Sequence, residues 1–268
     1  MYQLKNNQNK KNNTPDLSVV ILCYKAGDSA REFVKGTLKA LKDAQIFDYE
    51  IILVGNYHKN LGDKTPWVVK NIARKNPRIK YIAKVKKGMM GWDMKSGLHL
   101  ATGKYVAVMD GDGQVPTEDI IKVYRKIIEG KYDIVKTYRM ERGDSLWRKI
   151  ISFSFNILFK IFFPGLNARD INSKPKIMSA AVYKKLQLLS DGWFIDAEIM
   201  IQVRRYHFKI GEIPTVFLGL TGRRSFVTLT TIVEFIINLC KYRIKEFKYL
   251  YEYTHNRRRR EYRKKISS

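Results

Sequence analysis

The stretch that decides the fold is Tyr105-Val106-Ala107-Val108-Met109-Asp110-Gly111-Asp112-Gly113-Gln114, an apolar run that ends in two carboxylates one residue apart. It predicts a buried strand with oxygen ligands at the carboxyl edge of a sheet, where open α/β folds bind their ligands. Such carboxylates suit Mg²⁺ or Mn²⁺ held against a diphosphate, although the triplet alone also fits a solvated turn. A calcium loop of the EF-hand type is excluded, because Val115 replaces its obligatory glycine and Ile121 its bidentate glutamate.

Strand-like and helix-like segments alternate around this stretch. Strands are predicted at Leu17–Tyr24, Tyr49–Val54, Ile79–Val85, Tyr105–Met109 and Tyr132–Thr137, and helices at Ser29–Asp43, Pro66–Lys75, Gly91–Ala101 and Pro116–Glu129. Regular alternation of this kind implies right-handed crossovers and a mostly parallel sheet with helices on both faces. The predicted fold class is therefore α/β, with a Rossmann-like sheet.

The first half of the chain carries four ordered motifs. They are Val20-Ile21-Leu22-Cys23-Tyr24-Lys25, then Glu50 to Asn56, then Ser96 to Tyr105, and then Asp110 to Pro116 followed by Glu118-Asp119. In this order and spacing they resemble family-2 glycosyltransferases, and especially the branch that glycosylates polyprenyl (dolichyl) phosphate. The resemblance covers most of residues 17–225. It implies a glycosyltransferase-A type fold, a nucleotide-sugar donor, a polyprenyl or dolichyl phosphate acceptor and a divalent metal, Mg²⁺ or Mn²⁺.

The second half carries further motifs of the same branch. Asp170 to Met178 resembles an Asp-x-x-Ser-Gly-Phe-Arg segment, Trp193 to Glu198 a Phe-Asp-x-Glu segment, and Glu212-Ile213-Pro214 the Glu-x-Pro that follows. That branch holds the lipid phosphate with arginines and a serine. The stretch that does so resembles Arg139, Arg142, Trp147, Arg148, Ser152 and Asn156 of this chain.

The resemblance implies roles for individual residues. The metal would be held by Asp110, Asp112 and Gln114, and the nucleotide would contact Leu22, Tyr24, Asn56, Lys95 and Asp110. The acceptor phosphate would be bound by Arg139, Arg148, Ser152 and Lys176, and the catalytic residues would be Asp112, Arg139 and Arg148. The implied reaction is a single displacement at the anomeric carbon with inversion of configuration. A phosphate nucleophile is already ionised at neutral pH and requires no strong general base.

The chain departs from the family pattern at three places. Gly55 and Asn56 stand where the family has paired aspartates that grip the base and ribose, Lys25 replaces an asparagine, and Met89-Met90-Gly91-Trp92 replaces a Gly-Lys-Gly-Ala region. The loss of an acidic ribose contact leaves the base of the donor open, whereas the metal site is untouched.

Basic residues exceed acidic ones by 51 − 25 = 26 in 268 residues, which indicates an anionic partner. The excess is concentrated near the C-terminus, which includes Arg257-Arg258-Arg259-Arg260. Just before this run, apolar residues recur at helical spacing from Phe226 to Tyr251, which predicts one amphipathic helix or two in series. Phe226 to Cys240 is too short to span a bilayer, so it is expected either to lie in an anionic membrane interface or to pack on the core. Phe153 to Phe163 is a second candidate for lipid contact.

These patterns divide the chain into a disordered leader at 1–16, a catalytic domain at 17–225 and a basic membrane-associating tail at 226–268. Two cysteines and four scattered histidines give neither a disulfide framework nor a zinc site. The expected location is cytoplasmic and peripheral, on the inner face of the membrane.

Two alternatives stay open. One is a family-2 enzyme that acts on a sugar hydroxyl of a glycolipid or polysaccharide, with Asp196 as a possible base. The other is a noncatalytic basic protein that binds membrane or nucleic acid. Nucleic acid is not the expected partner, because no known motif surrounds Tyr251, Tyr253 and Tyr262.

Overall fold

The structure is a computed structural model that describes residues 14–59, 61–142, 146–218 and 229–266, without the side chains of 141–149, 229–231, 250 and 252–266. Residues 1–13 of the predicted leader at 1–16 therefore lie outside the described residues. Its last two residues are ordered, because the carbonyls of Pro15 and Asp16 accept hydrogen bonds from the backbone N–H groups of Lys104 and Tyr105.

Seven strands form one sheet. The strands are β1 Leu17–Leu22, β2 Tyr49–Val54, β3 Ile79–Ile82, β4 Tyr105–Asp110, β5 Ile134–Arg142, β6 Lys176–Ser179 and β7 Ile210–Phe217. The helices are α1 Ser29–Asp43, α2 Thr65–Arg74, α3 Met90–Leu98, α4 Asp119–Ile128, α5 Leu146–Phe162, α6 Ala180–Lys185, α7 Ile195–Arg205 and α8 Leu229–Ile266. The spatial order of the strands is β3-β2-β1-β4-β6-β5-β7. The predicted α/β class with a mostly parallel sheet is confirmed.

One strand runs against the others. β6 lies between β4 and β5 and is antiparallel to both, while every other pair of neighbours is parallel. The start of β6 therefore lies at the edge where β4 ends. The predicted third strand is also shorter than expected, since β3 ends at Ile82 and Val85 makes only an isolated bridge to Tyr57.

β1 and β4 lie side by side, and their registers end together at Leu22 and Asp110. The chain leaves β1 toward β2 and β3 and then returns to the other side of β1 at β4. This reversal of direction is the topological switch point at which open α/β sheets form their ligand crevice. The fold thus places Asp110 at that crevice.

Helices cover both faces of the sheet. One core packs α1, α2 and α4 against it, and the other packs α3, α5, α7 and α8. β1 is buried along its whole length because both of its faces are covered, which explains why its sequence is a continuous apolar run without polar alternation.

Within the described residues, the C-terminal segment is one continuous helix, α8, and its first half packs against the core on the side of α5 and α7. Leu239 is fully buried, and the ring of Phe235 lies 4.8 Å from that of Phe155 in α5. The Tyr242 hydroxyl donates to Glu198 Oε1 at 2.7 Å, and buried Glu246 pairs with Arg205. Burial of a leucine side chain contributes about 1.5–3 kcal/mol. The predicted alternative of packing on the core is therefore confirmed for this face of the helix.

The opposite face of α8 is apolar and exposed. Its residues recur at helical spacing: Val233, Ile236, Ile237, Ile244, Phe247 and Tyr251. α5 likewise exposes Ile150, Phe153, Ile157 and Ile161 at intervals of three and four. Across the described ranges, no helix has both the length and the apolarity needed to cross a bilayer.

Candidate active site

The two carboxylates of the Asp-x-Asp triplet lie in a tight turn at the end of β4. Gly111 packs against β1 so closely that a Cβ there would lie 2.8 Å from Ile21 Cγ2. Gly113 has φ +75°, a conformation that favours glycine. The N–H of Gln114 donates to Asp112 Oδ1 at 3.1 Å, which closes the turn. The alternation of Asp and Gly is therefore what aims both carboxylates outward from the sheet edge.

Four of the predicted site residues line one cleft at this edge: Leu22, Tyr24, Asp110 and Asp112. Lys86, Met90, Asp93 and Trp193 complete its lining. The cleft therefore combines carboxylates, an ammonium group and two aromatic rings.

Lys174 contacts Asp110 because of the strand register. β4 and β6 pair Val108 with Lys176, and two further residues along this antiparallel register bring Lys174 opposite Asp110. Lys174 Nζ lies 3.3 Å from Asp110 Oδ2 and 2.8 Å from Asp196 Oδ2. Sequence analysis missed this residue, although a lysine at the glycine position of the resembling segment was a visible signal.

Asp196 is held between two ammonium groups. Its Oδ2 accepts from Lys174 and its Oδ1 from Lys176 at 2.5 Å, and all three side chains are buried. Burial favours the neutral acid, but the two lysines outweigh it and hold the pKa of Asp196 below its ordinary value. Both oxygens of Asp196 accept from ammonium groups and the side chain is fully buried, which argues against contact with a substrate hydroxyl. The role of Asp196 as a possible base stays a prediction.

Asn56, a predicted nucleotide contact, is instead an internal residue. It is fully buried, and its Nδ2 donates to Asp93 Oδ1 at 3.0 Å and to Ser96 Oγ at 2.9 Å. Its Oδ1 accepts from the Lys84 N–H. These three bonds commit the side chain to the protein, so the expectation that it contacts the nucleotide is corrected.

Asp93 supplies a carboxylate in the cleft that sequence analysis did not anticipate. It is ion-paired with Lys86, whose Nζ lies 4.0 Å from the centre of the Tyr24 ring. Burial raises the pKa of the Asp93 carboxyl, and Lys86 opposes that shift. The only signal in the sequence was a lone aspartate among apolar helix residues.

The family model for glycosyl transferase family 2 matches residues 18–186, which include seven of the eight residues that line the cleft at the end of β4. The chain belongs to glycosyl transferase family 2.

Two curated relatives of this family-2 protein are named as sugar transferases, and the name of one of them includes undecaprenyl phosphate. A protein named as glycosyltransferase CsbB from Bacillus subtilis is 29% identical over 178 residues, which cover 66% of this chain and 52% of that protein. The undecaprenyl-phosphate 4-deoxy-4-formamido-L-arabinose transferase of Edwardsiella ictaluri is 30% identical over 146 residues, which cover 54% of this chain and 43% of that protein. The chain thus spans about half the length of these curated relatives. The resemblance inferred from the motifs is confirmed.

A solved structure shows the same fold. The glucosyl-3-phosphoglycerate synthase of Mycobacterium tuberculosis, crystallised with Mn²⁺, UDP and glucosyl-3-phosphoglycerate, superposes with a TM-score of 0.64 at 15% identity. The match covers 85% of this chain and 80% of that chain, and it confirms the glycosyltransferase-A type architecture.

The predicted acceptor residues are placed in different surroundings. Arg139 forms a two-point ion pair with Asp170, with Nε–Oδ2 at 2.6 Å and Nη2–Oδ1 at 2.9 Å. Lys176 is buried behind Lys174, which argues against direct contact with a substrate phosphate. Ser152 is half-buried in α5. Arg148 also lies in α5, but its side chain is outside the described residues, so its role stays a prediction.

Lys95 and Gln114 bind neighbouring loops. Lys95 Nζ lies 2.6 Å from Asp191 Oδ1, which ties α3 to the loop before α7. The side-chain nitrogen of Gln114 lies 3.4 Å from the carbonyl oxygen of Leu218. The nucleotide contact expected of Lys95 and the metal contact expected of Gln114 both stay predictions.

The end of β4 fits a divalent cation that is shared with a ligand. No three His, Cys, Asp or Glu residues in the described ranges lie close enough together to hold a metal on their own. Asp110, whose side chain is 37% exposed, and Asp112 both face the cleft. Because Mg²⁺ and Mn²⁺ bind few protein carboxylates and take the remaining oxygens from phosphate and water, this donor set suits a diphosphate-bound cation.

Replacement of Asp170 by Asn should destabilise the fold by about 3 kcal/mol at pH 7, because it breaks a largely buried ion pair. Burial alone would favour the neutral acid, but Arg139 and Lys136 hold the pKa of Asp170 below its ordinary value of about 3.9. The stabilisation is therefore complete above about pH 4 and is lost as the pH falls toward the native pKa. The gap between wild type and Asp170→Asn should shrink by about 1 kcal/mol from pH 5 to pH 3.

Urea unfolding at pH 7, 5, 4 and 3 measures this gap. Asp43→Asn is the control, because the Asp43 side chain is 57% exposed and its surface pair with Lys39 should contribute little to stability. A gap that stays constant down to pH 3 would contradict the assigned pKa shift.

Proposed function

We propose that this family-2 protein transfers a sugar from a nucleotide-sugar donor to a polyprenyl phosphate at the cytoplasmic face of a membrane. The proposal of a nucleotide-sugar donor rests on the cleft at the switch point, which is lined by two carboxylates and by the rings of Tyr24 and Trp193. The solved neighbour that shares this fold holds Mn²⁺ and UDP. A divalent cation, Mg²⁺ or Mn²⁺, bound by Asp112 with Asp110 and Gln114 would neutralise the charge of the departing nucleoside diphosphate.

The observation that carries the acceptor proposal is a direct connection between the apolar helix α5 and the site. Asn156 of α5 accepts the Ile171 N–H at 3.0 Å through its Oδ1. Ile171 lies three residues before Lys174, whose ammonium group contacts Asp110. We therefore infer that a lipid chain on the exposed stripe of α5 would present its phosphate toward the loop that carries Lys174. The undecaprenyl-phosphate transferase among the relatives supports the same class of acceptor.

The chemistry requires orientation more than proton removal. An acceptor phosphate is already anionic and needs no base, which agrees with the engagement of Asp196 by Lys174 and Lys176. Asp170 fixes the plane of the Arg139 guanidinium, so Arg139 can present a preset fork to that phosphate together with Arg148 and Ser152. A single displacement then inverts the anomeric configuration.

We propose that the exposed apolar stripes of α5 and α8 lie in the headgroup region of an anionic membrane. The stripe of α8 is opposite the face that packs on the core, so packing leaves it uncovered. Both helices also carry exposed lysines: Lys160 in α5, and Lys241, Lys245 and Lys248 in α8. The Arg-rich run 257–260 follows further along α8. Apolar insertion combined with basic flanks is the pattern of interfacial helices on anionic lipid.

Asp112→Asn should keep the fold and reduce turnover by at least about a hundredfold, because the diphosphate loses a cation-binding carboxylate. The measurement is sugar transfer with saturating Mg²⁺ or Mn²⁺. Asp63→Asn is a matched control on a loop outside the cleft. Unchanged turnover in Asp112→Asn, or full activity of the wild type in excess EDTA, would refute the proposed metal role.

Arg148→Ala should raise the apparent KM for polyprenyl phosphate by about tenfold to a hundredfold, since a charge-assisted bond to phosphate contributes about 1.5–3 kcal/mol. The KM for the donor should change little. Arg148→Lys should recover only part of the loss, because an ammonium group lacks the planar fork. Kinetics with each substrate varied in turn decide the matter, and an equal loss for both substrates would assign Arg148 to the fold.

Phe153→Ser combined with Phe247→Ser should lower binding to vesicles of phosphatidylglycerol by at least about tenfold, because each buried phenylalanine contributes about 1.5–3 kcal/mol. Vesicle flotation measures it. Point substitutions are preferable to deletion of 226–268, since Phe235 and Leu239 belong to the core. Trp67→Ser is the control, because Trp67 is equally exposed on α2. If the double variant floats like the wild type, the stripes do not contact lipid.

A further inference from the structure

The loop between α6 and α7, residues 186–194, carries Trp193, which lines the cleft. The loop belongs to no helix or strand, so its position depends on the bonds that its neighbours make to it. Glu198 of α7 holds its middle, because the carboxylate accepts the N–H of Leu189 at 2.9 Å and that of Ser190 at 2.9 Å. Glu198 is only 1% exposed. A buried carboxylate therefore fixes the loop from the side of α7.

The same loop caps the start of α3 at the cleft. The N–H of Gly91 donates to the carbonyl oxygen of Gly192 at 2.9 Å, and such N–H groups in the first turn have no partner inside their own helix. Glycine permits this approach, since a Cβ on Gly91 would lie 2.3 Å from the Ser190 carbonyl oxygen. Met90, the preceding residue, lines the same cleft as Trp193. The loop thus positions two sides of the cleft together.

α8 contacts this loop from outside. The Tyr242 hydroxyl donates to Glu198 Oε1 at 2.7 Å, and the Tyr242 ring lies 5.0 Å from that of Phe194 at the end of the loop. Burial and the bond to Glu198 raise the pKa of Tyr242, so the hydroxyl keeps its proton and stays a donor. Glu234 also packs on the loop, since a Cβ on Gly192 would lie 2.5 Å from Glu234 Oε1.

We propose that Tyr242 of α8 and Glu198 of α7 are positioning residues of the donor site, which hold the loop 186–194 and with it the Trp193 side of the cleft. Neither residue lines the cleft, so both act through the loop. A loop that is held before binding spares the ligand the cost of ordering it. The inference rests on the proposed nucleotide-sugar donor and makes α8, whose exposed stripe is proposed to lie on the membrane, a part of that site.

The position of Trp193 can be measured without any nucleotide, by ¹⁹F NMR of the full chain labelled with 5-fluorotryptophan. The chain has four tryptophans, and Trp193→Phe identifies one of the four resonances. Tyr242→Phe removes only the hydroxyl and keeps a ring against Phe194. In this variant the Trp193 resonance should shift or broaden, while that of Trp67 on α2, identified by Trp67→Phe, should stay unchanged.

Calorimetric titration with UDP, GDP, CDP and ADP in the presence of Mn²⁺ measures the consequence for the donor site. For each nucleotide that binds the wild type, Tyr242→Phe should weaken binding by about threefold to tenfold, which corresponds to the cost of ordering one side chain. Glu246→Gln is the matched control, because this buried residue of α8 pairs with Arg205, at the end of α7 remote from the loop. Its nucleotide affinity should stay within about twofold of the wild type.

Glu198→Gln should change the Trp193 resonance and the nucleotide affinity in the same direction as Tyr242→Phe. Tyr242→Phe leaves the bonds of Glu198 to the loop backbone in place, so it decides the proposal even if Glu198→Gln does not fold. Circular dichroism first establishes that each variant is folded.

An unchanged Trp193 resonance in Tyr242→Phe would overturn the inference. Equal losses of nucleotide affinity in Tyr242→Phe and Glu246→Gln would also overturn it, because α8 would then act by its packing as a whole. If the wild type binds none of the four nucleotides, the proposed donor fails, and the ¹⁹F comparison still decides whether Tyr242 positions the loop.

Discussion

The ion pairs of Asp196 with Lys174 and Lys176 are the interaction on which the site depends. Each oxygen of the buried carboxylate accepts from one ammonium group, and the three residues come from α7, the start of β6 and the loop just before it. Lys174 then reaches across to Asp110 at the end of β4. Buried charges are tolerated only when they are paired, and loss of one partner typically costs about 3–5 kcal/mol. The network therefore fixes the sheet edge, α7 and the first carboxylate as one unit.

The antiparallel direction of β6 makes this unit possible. A parallel strand in the same place would bring its carboxyl end to the cleft, whereas β6 brings its beginning, so the loop that precedes it meets the end of β4. The same loop is held on its other side by Asn156 of α5. One short segment thus connects the carboxylates to the helix that exposes an apolar stripe, and the proposal of a lipid-linked acceptor rests on this connection.

The parts of the fold that follow local patterns could be predicted from the sequence. The apolar run before Asp110 predicts β4, and the order of strands and helices predicts the parallel half of the sheet, because both depend on residues near in sequence. The contact between Lys174 and Asp110 depends on strand order and register across 64 residues, which no local pattern contains. The antiparallel β6 was missed for the same reason.

Burial explains the remaining differences between the sequence-based predictions and the structure. The position of Asn56 after β2 predicts a ligand contact, but its side-chain amide is hydrogen-bonded to Asp93, Ser96 and the backbone N–H of Lys84. Periodicity shows that α8 is amphipathic, yet it cannot tell which partner covers each face. In the structure, Phe235, Leu239 and Tyr242 pack on the domain, while the face of α8 that carries Ile244 and Phe247 is exposed.

The most direct measurement is sugar transfer by the purified full chain, with a panel of sugar nucleotides as donors and undecaprenyl phosphate in anionic vesicles as acceptor. Mass spectrometry and NMR of the product identify the linkage and the anomeric configuration. We predict that at least one donor gives a polyprenyl-phosphate-linked monosaccharide of inverted configuration, and only when Mg²⁺ or Mn²⁺ is present. Transfer to a sugar hydroxyl in place of the lipid phosphate, or a product with retained configuration, would contradict the proposed function.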